Sequence, residues 1–118
     1  MAYIDGIVIA VKTADKDAYL AFARQMDALF VSEGATRIIE GWGQDVPHGQ
    51  QTDFYRAVAA TEDETIVFSW VEWPDKATRD AAWQRLESNP AMAGTKPPFD
   101  GKRMIFGGFD VIHQVGGD

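Results

Sequence analysis

The stretch IVFSWVEWPD, residues 66–75, carries large apolar side chains on both of its alternating faces. Ile66, Phe68 and Trp70 share one side, and Val67, Val71 and Trp73 share the other. Successive side chains of a strand point to opposite faces, so this run fits a central strand covered on both sides. Pro74 and Asp75 end it and open a helix, because proline is tolerated in a first helical turn and aspartate caps free amides. Ala82, Trp83 and Leu86 give that helix a narrow apolar face, and it runs to about Ser88 before Asn89 and Pro90 stop it.

Upstream, Tyr3 to Val11 is β-branched and alternating, which predicts a first strand. Asp15 then caps a segment in which Tyr19, Phe22, Ala23, Met26, Leu29 and Phe30 recur at three- and four-residue steps, and Gly34 provides a stop. This is an amphipathic helix. Ala35 to Gln44 returns to a β pattern before a connection rich in Pro and Gly that ends near Thr52. Phe54 to Ala60 reads as a further extended run, joined by the acidic turn TEDE to Thr65 to Trp73 as a hairpin. It is either a fifth strand or part of a long second strand interrupted by the loop. Met104 to Val115 is the last strand, and the closing GGD carries no structural signal.

The order strand, helix, strands, helix, strand predicts an α+β domain spanning residues 1–118. Its expected form is a ferredoxin-like split β-α-β with a four- to five-stranded, mainly antiparallel sheet and two helices on one face. The other face is left bare although several strands carry apolar residues on both sides. A symmetric partner covers it most simply, giving a homodimer built as a dimeric α+β barrel.

Composition narrows the function classes. The net charge is −7, from 11 Lys plus Arg against 18 Asp plus Glu, and the basic residues form no run, which disfavours nucleic acid and anionic membranes as partners. There is no cysteine, so disulfides and thiolate chemistry are excluded. The first residues lack a basic leader and a long apolar run, which makes the cytoplasm the expected location. His48 and His113 have no companions at ligand spacing, so no metal is expected. No phosphate-binding loop, dinucleotide fingerprint or serine elbow is present, and no cofactor is expected.

Candidate site residues come from charges inside strands and from the loop between residues 38 and 54. Asp5, Arg37, Glu40, Arg56 and Glu72 lie in predicted strands, where a covered carboxylate must find a partner or shift its pKa. If the second and third strands are neighbours, Glu40 and Glu72 share one cavity with Arg56. Glu40, Glu72, Asp45 and Asp53 are the candidate acids, bases or hydrogen-bond acceptors. Arg56 and Arg103 would hold an anionic substrate, and Trp42 and Trp70 offer flat apolar walls. The competing reading makes these charges structural ion pairs and the tryptophans core. Gly6 and the pair Gly107, Gly108 mark either a shallow floor, a bulge or close packing.

Three longer motifs, RIIEGWGQDVPHGQQTDF, VFSWVEWPDKATRD and PPFDGKRMIFGGF, resemble the YbaA-like family of small bacterial proteins of unknown function. The resemblance extends from Tyr3 to the last strand. It implies a fold of the dimeric α+β barrel type and supplies no established activity. His48 stands where the family pattern does not require histidine, Gly41 where cysteine is common, and NPAM replaces DPRM. Two readings of function follow. One is a small cytoplasmic homodimer that binds or converts a small organic metabolite, without a cofactor, in a cleft between sheet and helices. The other is a non-catalytic binding or protein-interaction module whose polar motifs stabilise fold and dimer.

Overall fold

The computed structural model describes residues 2–117 of the chain. Four strands, β1 (Tyr3–Lys12), β2 (Arg37–Trp42), β3 (Glu64–Trp73) and β4 (Ile105–Asp110), form one antiparallel sheet in the order β2-β3-β1-β4. Two long helices, α1 (Lys16–Ser32) and α3 (Lys76–Glu87), cover one face. This is the ferredoxin-like arrangement. No helix is long and apolar enough to cross a membrane, among the described residues.

The pattern of residues 66–75 is realised as expected: β3 lies in the middle of the sheet between β2 and β1. Its Val67, Val71 and Trp73 are buried under the helices with Tyr3, Ile9 and Val11 of β1. Side chains as completely buried as Trp73 and Leu86 each stabilise the fold by about 2 kcal/mol. Asp75 caps α3 by accepting from the Thr78 amide at 2.7 Å. Tyr19, Ala23, Met26 and Phe30 form the buried stripe of α1, and Gly34 ends it at φ 120°, a conformation that side chains with a Cβ rarely adopt.

Phe54 to Ala60 is not a strand, and the hairpin with β3 does not form. Residues Phe54–Ala57 make a single helical turn, α2, because Asp53 accepts from the amides of Arg56 (2.8 Å) and Gly49 (3.0 Å) and so bends the chain. Val58 then drops against Val8, Ala10 and Ile66 on the sheet face opposite α1 and α3. The sheet therefore has four strands, and the extra segment plugs one end of its otherwise bare face. A second short helix, α4 (Pro90–Ala93), follows Asn89, which caps it rather than only ending α3. The last strand is shorter than Met104 to Val115, since Ile105–Asp110 pairs with β1 and residues 111–115 lie outside it. Asp118 of the closing GGD lies outside the described residues.

Gly6 and Gly107 are register partners on the bare face, and the Phe109 ring covers both, 3.5 Å from where their Cβ atoms would stand. Gly108 faces the other way. A Cβ there would stand 2.3 Å from the Tyr3 hydroxyl, so the Tyr3 ring requires glycine at this point.

Candidate functional site

Strand parity sorts the charged residues before any contact is considered. Glu40 pairs with Ser69 in register and faces the helices, whereas Glu72 pairs with Arg37 on the opposite side. The two glutamates cannot share a cavity, although β2 and β3 are neighbours. Glu72 accepts from Arg37 Nη2 at 2.9 Å and from Trp70 Nε1 at 2.8 Å, beside a broad open groove of about 720 Å³ bordered by Ile4 and Val115. Burial raises its carboxyl, but the bonds from Trp70 and Arg37 outweigh that and hold it below the usual range.

On the helix side a cavity of about 380 Å³ opens between β1, β2, α1 and the connection that leads into β4. Its walls are largely apolar, with Ile7, Met26, Phe22, Phe99 and Met104 among them. Tyr19, Phe22 and Phe99 form a three-ring group with centroids 5.6–6.3 Å apart. Into this space converge Asp27 from α1, Glu40 from β2 and Ser69 from β3.

Glu40 accepts from the Tyr19 hydroxyl at 2.7 Å. Asp27 is pushed up to about 8 by burial first, then by its hydrogen bond to Glu40 and by that neighbour's charge. Tyr19 is also raised, by burial and by the Glu40 carboxylate. Two carboxyl groups held together in apolar surroundings cannot both ionise cheaply, which is why Asp27 is raised beside Glu40.

Asp5 borders the same cavity but is fully engaged. It accepts from Arg79 Nη2 at 2.7 Å, Trp73 Nε1 at 2.9 Å and Trp83 Nε1 at 3.1 Å. A buried carboxylate with that many donors is a structural tie between β1, β3 and α3.

The remaining candidates lie elsewhere. Asp45 is exposed in the loop after β2. Asp53 is the α2 cap, held low chiefly by the Arg56 amide, and Arg56 itself donates to the carbonyls of Gly49 (2.8 Å) and Gln50 (3.1 Å). His48 stacks on Tyr55 with centroids 4.3 Å apart. Arg103 grips both oxygens of Glu64 at 2.7 Å, and this guanidinium is the main cause that holds Glu64 at about 2. Trp42 packs against the Val67 cluster under Lys16, and Trp70 lies on the bare face. Of the eight residues assigned acid–base or ligand-holding roles, only Glu40 lines the cavity, which Asp5, the other strand charge, also borders. Among the described residues no three His, Asp or Glu side chains gather as a metal would need.

Residues 2–101 match the family described as "Protein of unknown function (DUF1428)". The chain belongs to this family. Its DUF1428 relatives include the uncharacterized protein YbaA of Escherichia coli strain K12, 53% identical over 114 residues, covering 95% of this chain and 97% of the relative. YbaA of Shigella flexneri matches with the same identity and coverage. The likeness read from the three motifs is thus family membership. Among solved structures, a protein described as a dimeric ferredoxin-like protein from an uncultured marine organism superposes with a TM-score of 0.61. It shares 12% identity and covers 97% of this chain and 98% of its own, a likeness that bears on fold alone.

The cavity of this DUF1428 chain contains polar groups that strand reasoning passes over. Asp27 stands four residues after Ala23 and three before Phe30, inside the buried stripe of α1. An acid in an apolar stripe is the signal that would have found it. Tyr19 was legible as core, but its hydroxyl partner lies across the fold.

Proposed function

We propose that the chain binds and acts on a small organic metabolite in the cavity between the sheet and α1, with Asp27 and Glu40 as a proton-exchanging couple. The observation that carries this reading is a carboxyl pair, bonded to Tyr19, facing an apolar-walled space of about 380 Å³. That volume lies within the usual range for small-molecule sites. An acid poised near 8 suits general acid–base work at neutral pH, since it holds a proton yet releases it readily. The chain's own carboxyls move the proton in this reading, and the absence of cysteine fits a cytoplasmic setting.

The same reading includes a homodimer formed through the bare sheet face. Phe68 (44% exposed), Ile105 (44%) and Phe109 (57%) present apolar surface there, beyond the end plugged by Val58. A second copy would bury these side chains symmetrically. The dimeric description of the marine ferredoxin-like protein supports the assignment by analogy of fold.

A non-catalytic interaction module remains the alternative, favoured by the closed pairs Asp5–Arg79, Arg37–Glu72 and Arg103–Glu64. Native mass spectrometry of the protein purified from its source cells separates the two. A small-molecule adduct that is lost on unfolding is expected. A chain that arrives bare, and stays bare after exposure to a metabolite extract, contradicts the small-molecule reading.

A further inference from the structure

The cavity is selective in the charge it presents. No lysine, arginine or histidine is among the described residues that line it. Arg79, which bonds the cavity-lining Asp5, is committed to Asp5 and Asp80. An anionic guest would meet the Glu40 carboxylate with no counter-charge lining the space, in surroundings that strengthen repulsion. The substrate anion expected from Arg56 and Arg103 has no support here, because both side chains are bonded elsewhere.

Ser69 points to a ligand independently of the acids. The residue is 2% exposed and lines the cavity beside its register partner Glu40. No hydrogen bond of its hydroxyl is found among the described residues, yet no occluded side-chain polar atom there lacks a partner. The hydroxyl is therefore open to the cavity, and a guest would complete its bonding. Around it, the ring group of Tyr19, Phe22 and Phe99 offers π faces to a cation. Met26 and Met104 supply walls that adapt to an irregular hydrocarbon.

We propose that the guest is an apolar molecule carrying a protonated amine, its ammonium set between Glu40 and Ser69 and its hydrocarbon body among Phe22, Phe99 and the methionines. This rests on the small-molecule reading above and adds the ligand class. An ammonium donates to Glu40 and Ser69 together, and a charge-assisted bond to a carboxylate is stronger than the bond a neutral hydroxyl makes. With Asp5 neutralised by Arg79 and Asp27 protonated, Glu40 opposite a single ammonium leaves the occupied cavity without net charge.

The test uses three phenethyl probes of similar size and three charges, phenethylamine, phenethyl alcohol and hydrocinnamate, titrated calorimetrically into the intact protein at neutral pH. Phenethylamine is expected to bind about ten-fold or more tightly than the alcohol, since the charge-assisted bond is the difference between them. Hydrocinnamate is expected not to bind. Ser69→Ala should weaken the amine several-fold, and Glu40→Gln should bring amine and alcohol level. The wild-type ranking needs no variant, so it stands if Glu40→Gln does not fold. Hydrocinnamate or the alcohol matching the amine overturns the charge preference while leaving a small-molecule cavity intact. Amine binding that survives Met104→Trp, which fills the cavity, overturns the assignment of the site. Failure of all three probes also overturns the amine proposal, and the co-purified adduct then decides the broader reading separately.

Discussion

Tyr19 donates its hydroxyl to Glu40 Oε1 at 2.7 Å, joining the buried stripe of α1 to the helix face of β2. The bond does two things at once: it satisfies a phenol that burial would otherwise orphan, and it fixes the carboxylate toward the cavity. Tyr19→Phe keeps the ring contacts and removes the donor, leaving Glu40 one bond short. Loss of about 2 kcal/mol in urea unfolding is expected. An unchanged midpoint would mean that the hydroxyl contributes nothing to the fold.

Asp5 is the most heavily bonded carboxylate of the molecule's helix side, with its side chain 5% exposed and its partner Arg79 21% exposed. Asp5→Ala leaves two indole donors without their acceptor and the Arg79 guanidinium with Asp80 alone. The expected cost is about 3 kcal/mol, the penalty for breaking a buried pair and leaving its other donors unpaired. Arg79→Ala in the Asp5→Ala background should then cost much less than in the wild type, and a double-mutant cycle of thermal unfolding measures that coupling.

Glu64 gives the acid limb of the stability profile a specific origin. Its folded-state carboxyl lies near 2, below the ordinary 4.5, so the native state binds that proton less readily than the unfolded chain. Stability from the Arg103 pair is therefore complete above about 4.5 and disappears as the pH falls toward about 2. Because the pair borders solvent, the contribution is about 1.5 kcal/mol rather than the full value of the shift. Glu64→Gln should flatten the profile in this window, as read by urea midpoints between those two pH values.

Phe109 tests the proposed dimer from the bare face. It covers Gly6 and Gly107 and is 57% exposed. Phe109→Asp places a charge where a second sheet would pack and should yield a folded monomer, whereas the wild type is expected to sediment with the mass of two chains. A wild type that remains a monomer at high concentration contradicts the homodimer.

The fold was legible where hydrophobic period and punctuation agree. Residues 66–75 announced a central strand and a capped helix, and Gly34 announced the end of α1, because each rests on local backbone chemistry. Phe54 to Ala60 was misread for a reason that is also local. Its apolar residues fit a strand by composition, but the two amides captured by Asp53 turn the chain first. The site was less legible. Glu40 stood out as a charge in a strand, yet which face it shares with Glu72 depends on strand register, which composition does not reveal. Arg103 and Arg56 look like anion binders until the distant Glu64 and the loop carbonyls claim them. Asp27 was overlooked because the stripe around it reads as core, and only the arrival of β2 opposite α1 turns it into half of a carboxyl pair.

The most direct measurement is the titration of the Asp27 side-chain carboxyl by carbon-detected NMR in selectively labelled protein, assigned by its loss in Asp27→Asn. A midpoint near 8 is expected, with the Asp27 proton retained through neutrality beside Glu40. A midpoint near the ordinary 3.8 would contradict it, because Asp27 would then be a solvated carboxylate with no proton to give.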